Sequence, residues 1–145
     1  MQGGGNFKKR LATMAKPKTG SKNVIAGIIK SATYPENGRF VAEIASFNEY
    51  GTDRIPPRPF MRNTVAQNKA KLCKIAKEYL YKTNFNTELT LNVVGAVMKD
   101  DIVNSIRNFD TPANAPSTIA KKGFDAPLRE TGLLLQSIDY ELIEK

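Results

Sequence analysis

The sequence predicts a small α+β domain. Three observations carry this: a long apolar stripe at helical spacing in the centre of the chain, a second helical stripe before it, and strand-like runs towards both ends. The clearest stripe is Leu91, Val94, Met98, Ile102, Ile106 and Phe109, recurring every third or fourth residue; it predicts a helix over 88–109. At the C-terminal end, Ile138, Tyr140 and Leu142 alternate with Asp139 and Glu141, the period of a half-buried strand. The expected architecture is a small antiparallel sheet, an N-terminal hairpin plus a C-terminal strand, packed against two central helices.

In chain order, residues 1–22 hold a glycine run, Lys8, Lys9, Arg10, Lys16, Lys18 and Lys22, and no acid. Such a segment repels itself and reads as a flexible basic arm outside a single domain spanning 23–145. Val24 to Lys30 reads as a strand and Phe40 to Ser46 as its antiparallel partner, with Asn37-Gly38 as the turn signal between them. Residues 47–58 contain Gly51, Pro56 and Pro57 and cannot stay regular for long. Pro59 suits a first helical turn, where its missing N–H costs nothing, and Met61, Val65, Leu72, Ala76 and Tyr79 continue that helix to about Tyr81. Asn84 to Thr87 supplies capping side chains for the next helix. Asp110 to Ser117 reads as a loop, Leu133 to Gln136 as one helical turn, and Ser137 to Ile143 as a strand joining the hairpin's sheet.

Composition narrows the chemistry. The 145 residues contain no His and one Cys. A zinc site and a His-dependent nucleophilic mechanism therefore lack their ligands or their base, and no internal disulfide can form. Cys73, beside Leu72, Ile75 and Ala76, reads as a small buried hydrophobe. Asp100 and Asp101, the candidate carboxylate pair for a hydrolase, are adjacent on a helix and point about 100° apart, so they do not converge on one substrate. No cofactor is expected. No apolar run approaches the ~20 residues of a membrane span, and the N-terminal residues do not resemble a signal peptide; the chain is expected to be made in the cytoplasm.

The net charge is +8, and it is unevenly placed. Residues 1–39 carry +7 and 63–83 carry +4, whereas 84–110 carry −2 and 111–145 carry −1. A surface facing nucleic acid is one reading; a solvated arm and a solvated helix face is the other. Such asymmetry also suits subunits that meet front to back.

Two short segments are the most informative. The first runs Asn48-Glu49-Tyr50-Gly51-Thr52, then Ile55-Pro56-Pro57-Arg58-Pro59-Phe60-Met61-Arg62. Its prolines are stiff, Phe60 and Met61 can anchor a helix start, and Glu49 can pair with Arg58 or Arg62. The second runs Pro127-Leu128-Arg129-Glu130-Thr131-Gly132-Leu133-Leu134-Leu135-Gln136-Ser137-Ile138, with leucine anchors around a sharp Thr131-Gly132 reorientation. Taken singly, each reads as a connection between regular elements.

Together, and in this order, they resemble the tail-completion and head–tail joining proteins of tailed bacteriophages, a group that includes minor tail proteins of the lambda Z type and virion morphogenesis proteins of Mu-like phages. Ser117 to Gly123 resembles the stretch preceding the late motif. The likeness spans roughly residues 24–143; many members have His before the glutamate, where this chain has Asn48. The resemblance implies a non-enzymatic virion protein: a hexameric or dodecameric homo-oligomeric ring at the neck or head-proximal tail end, contacting connector or tail-tube proteins close to genomic DNA. Its expected assembly contacts are Glu49, Tyr50, Arg54, Arg58, Phe60, Arg62, Leu128, Thr131 and Gly132. The competing reading is a cellular nucleic-acid-binding module using the basic N-terminal half, although no helix-turn-helix pattern or interleaved stacking aromatics support it.

Overall fold

The computed structural model describes residues 22–123, 125, 127–129 and 131–144. In chain order the elements are β1 (Lys22–Ile28), α1 (Val41–Tyr50), α2 (Phe60–Lys82), α3 (Thr87–Arg107), α4 (Pro116–Lys122), α5 (Leu133–Ser137) and β2 (Ile138–Glu144). The class is α+β, as the patterning predicts. The sheet has two strands, β1 and β2, antiparallel in the register Lys22↔Glu144 through Ile28↔Ile138, so it ties the two ends of the described chain together.

Helix α3 is the hub. Both strands pack on it from one direction and α2 packs along it from another. Its buried residues Val94, Ile102 and Ile106 come from the predicted stripe. Asn86 caps its first turn by accepting a hydrogen bond from the Leu89 N–H at 3.0 Å. At Gly95 the helix meets the sheet so closely that an added Cβ would lie 2.3 Å from Tyr140 Cδ2 and 2.7 Å from Val24 Cγ2; only a residue without a side chain fits. The core gathers Val41, Ala45, Phe60, Ile102, Ile106, Leu134 and Ile138. Side chains of this kind each contribute roughly 1.5–3 kcal/mol on full burial.

The expected hairpin is not formed. Residues 41–50 are helical, and the partner of β1 is the C-terminal strand. The Asn37-Gly38 turn does form, with the Gly38 N–H donating to the Tyr34 carbonyl at 2.8 Å and one isolated antiparallel bridge at Thr33↔Phe40. Past Phe40, however, Val41, Ala45 and Glu49 are buried at four-residue spacing. Over the seven residues 40–46 an alternating reading and a helical one fit equally; the three positions beyond decide it. The helix ends at Gly51, φ 78°, where a Cβ would sit 3.0 Å from both the Ile55 oxygen and the Pro57 nitrogen.

Three further expectations change. Pro116 and Ser117, assigned to a loop, open the short helix α4; the N-terminal proline and the following Gly123 were its signal. Cys73, expected inside, is exposed. Lys22, counted with the basic arm, begins β1 and pairs with Glu88 at 2.8 Å. The rest of the arm, including Lys8, Lys9, Arg10, Lys16 and Lys18, lies outside the described residues.

Candidate functional site

The first motif builds a clasp at the start of α2. A helix begins with unsatisfied N–H groups and a partial positive charge. Pro59, at the cap position, has no side chain that could accept from them. Glu49, carried in from the last turn of α1, does so: Oε2 accepts from the Met61 N–H and Oε1 from the Arg62 N–H, both at 2.9 Å. Arg62 closes the clasp, donating from Nε to Glu49 Oε1 at 3.0 Å and from a terminal nitrogen to the Glu49 carbonyl at 2.7 Å. Its guanidinium also lies 4.8 Å from the centre of the Tyr50 ring, a cation–π distance.

Arg58 takes a different course. Of the two partners expected for Glu49, the structure selects Arg62. Arg58, only 6 % exposed, donates to the Pro112 carbonyl at 3.1 Å, the Ala113 carbonyl at 2.9 Å and Asn48 Oδ1 at 3.2 Å. These acceptors are neutral. Burial pushes the guanidinium below its ordinary pKa, and the charge of Asp125 offsets this in part.

The expected contact residues therefore divide. Glu49, Arg58 and Phe60 are buried and have partners inside the chain, so in this conformation all three serve the scaffold, and Arg58 also lines a cleft; the helix start needs the carboxylate and the loop at 112–113 needs the guanidinium. Tyr50 and Arg54 are exposed, and the Arg62 side chain is half-exposed. In the late motif, Thr131 Oγ1 accepts from the Leu133 N–H at 3.2 Å and Gly132, φ 74°, caps α5. Both set the entry of that helix. Leu128 is half-buried with φ 64°.

The motifs meet around one cleft of about 270 Å³. Asn48, Arg54, Ile55, Pro56 and Arg58 come from the first, Leu128 and Leu134 from the late one, and Thr118 from the stretch preceding it; Tyr34, Ile44, Asn114 and Ala115 complete the wall. Residues as far apart as Tyr34 and Leu134, a hundred positions in the chain, thus line one concavity. The Asn114 backbone N–H donates to Asp125 at 3.0 Å, but its side-chain Nδ2 is buried and has no partner among the described residues. Sequence reasoning missed Asn48 and Asn114 as cleft residues. Nothing local marks them, since their significance comes from the fold placing them beside Arg58.

A second surface is the outward side of α2. Arg62, Lys69, Lys74 and Lys77 are exposed there, with Cys73 among them and Tyr81 one turn beyond. At 1.5 Å per residue the cations extend over roughly 22 Å. Lys71 is engaged by Asp101, and Lys82 lies over the Tyr79 ring. Asp100 is exposed and lines a different concavity, beside Lys99 and Arg107, so the two adjacent aspartates serve separate surroundings. Among the described residues, no cluster of Cys, Asp and Glu could hold a metal ion, and no helix is long and apolar enough to cross a membrane.

Comparison with protein-family models, with curated proteins and with solved structures found no match for this chain.

Proposed function

We propose that this protein is a structural subunit of a tailed-phage virion, acting at the neck or the head-proximal end of the tail, where it helps complete the tail and join it to the head. The observation that carries the reading is the cleft. The three segments on which the resemblance rests converge on it, while Glu49, Arg58 and Phe60 hold its walls in place. A cleft built from rigidly anchored segments presents a fixed shape to a neighbour and reduces the ordering cost of association. Arg54 lines the cleft from an exposed position, and Tyr50 and Arg62 are exposed in the adjoining stretches of the same motif; Tyr and Arg are residue types enriched at protein interfaces. Self-association into a ring is the oligomeric form this reading expects.

The test is genetic. A phage lacking this protein should accumulate filled heads and separate tails, and a copy supplied in trans should restore joined particles. An Arg54→Ala, Tyr50→Ala copy should fold and fail to restore them. Normal particle yield without the protein would refute the assignment.

A second reading rests on the outward side of α2. Its cations could neutralise phosphates, and the protein would then bind nucleic acid as its main activity. Duplex DNA titrations at two salt concentrations separate the readings. Strong, steeply salt-dependent binding by a monomer favours the second; weak binding together with ring formation favours the first.

A further inference from the structure

Arg58 poses an electrostatic problem that the fold leaves open. Buried charges are ordinarily paired, because a guanidinium taken out of water loses more than neutral acceptors return. Here the acceptors are two backbone carbonyls and an amide oxygen, and none carries a charge. Asp125 is exposed and forms no ion pair with Arg58 among the described residues. Three bonds to the described residues also leave part of the guanidinium's donor capacity unused. In the same cleft wall, Asn114 Nδ2 is a buried donor with no partner among the described residues. A second cation, Arg54, lines the cleft from an exposed position. The concavity thus combines a surplus of N–H donors and positive charge with apolar walls from Ile44, Ile55, Leu128 and Leu134.

We infer that this cleft receives the carboxylate of an Asp or Glu side chain, flanked by apolar residues, from a polypeptide segment of a neighbouring protein. The inference deepens the assembly reading of the same cleft and names the chemistry of the contact. Size favours a side chain: about 270 Å³ lies just below the ~300–1,000 Å³ typical of small-molecule sites. The walls favour a peptide over an inorganic anion, because the apolar residues would otherwise gain no partner. A carboxylate bound there would pair with Arg58, accept from Asn114 and be approached by Arg54. Charge-assisted bonds of this kind are about twice as strong as neutral ones.

The test uses the isolated full-length chain and two peptides, acetyl-Ala-Leu-Glu-Leu-Ala-amide and its Gln counterpart, titrated by heteronuclear NMR. The Glu peptide is expected to bind at least tenfold more tightly and to shift the amides of Asn48, Asn114 and Thr118. Because Arg58→Ala will disturb the loop at 112–113, the discriminating variant is Asn114→Asp, whose replaced amide nitrogen has no partner among the described residues to lose. It should keep the protein folded, abolish binding of the Glu peptide and leave that of the Gln peptide unchanged. Equal affinity for the two peptides, shifts confined to α2, or full retention of Glu-peptide binding by Asn114→Asp would each overturn the inference. So would glutarate binding as tightly as the Glu peptide, since the site would then serve a small acid. These outcomes are independent of the phage experiment: failure here removes the carboxylate and leaves the neck assignment to its own test.

Discussion

The two ends of α2 are built on different principles. At the first turn Phe60 and Thr64 are buried, Glu49 takes two backbone N–H groups, and Arg62 is held by both Glu49 and Tyr50. From Val65 to Lys82 no residue is fully buried; one face rests on α3 and the other carries lysines into solvent. The same helix is thus a structural anchor at one end and an open surface at the other. A position's contribution to stability depends on what it touches; the anchored end is the stronger although Phe60, Asn63, Thr64 and Val65 are poorer helix formers than the Lys, Ala and Leu residues that follow. This separation lets the outward residues change for function with little effect on folding.

The largest expected effect is at the anchor. Phe60→Ala removes a fully buried ring at the centre of the core and should cost ~3–5 kcal/mol. Denaturant unfolding checks it. A loss below ~1 kcal/mol would mean that the site collapses freely, and the contrast within α2 would weaken. Next comes Glu49→Gln. The substitution keeps the shape but sets an amide donor against one of the two backbone N–H groups, at the positive end of the helix. A loss of ~1–3 kcal/mol is expected, the magnitude of leaving a buried polar group unpaired. Arg62→Ala should cost clearly less, because its side chain is half-exposed.

How much of this was legible beforehand follows from the range of the forces involved. Helix α3 was readable because its stripe is long and burial on one face enforces its period. The C-terminal strand was readable for the same reason at period two. Residues 40–46 were misread because a run that short fits both periods, and the deciding contact, Glu49 on the start of α2, lies outside it. Cys73 was misplaced because apolar neighbours at helical spacing show that a stripe exists without fixing which flank of it faces the core. Glu49, Arg58 and Arg62 were legible as an interacting group, and the partner of Glu49 was confined to two candidates. The burial of Arg58 was not legible, since it depends on the loop at 112–113, more than fifty residues away. Asn114 carried no local signal for the same reason.

Between the extremes of α2 lies an ion cluster on the sheet. Asp139 of β2 accepts from Lys99 of α3 at 3.1 Å and from its neighbour Tyr140's N–H at 2.9 Å, with Lys30 at 3.8 Å. The hydrogen bond from Lys99 and then that from Tyr140 hold its carboxyl below the ordinary 3.8. A depressed carboxylate contributes stability that is present above its unfolded pKa and lost as pH falls through the folded one. The window therefore lies below about pH 4. Asp139→Asn should lower the melting temperature slightly at pH 7, a small effect because the carboxyl is solvent-accessible and salt screens it, and the difference from the unsubstituted protein should vanish as pH falls below about 4, which flattens the acid limb. An unaltered acid limb would show that the cluster contributes nothing measurable.

The smallest expected effect on stability is at the open end of α2. Replacing Lys69, Lys74 and Lys77 together by Gln removes three exposed cations and no buried contact. Each change should alter stability by less than ~0.5 kcal/mol, the usual range for surface substitutions. Gln is nearly as good a helix former as Lys, so propensity is not a competing cause. Binding to duplex DNA is the more informative measurement. If the three lysines each meet a phosphate, the slope of log affinity against log salt should become shallower by about 2.7, at ~0.9 per contact. That outcome, with an unchanged unfolding midpoint, would make this face a nucleic-acid surface and strengthen the second functional reading. An unchanged slope would assign the lysines to solvation and leave the cleft as the functional surface. Loss of cooperative unfolding would instead show that the far end of α2 is also an anchor, and the distinction between its two ends would fail.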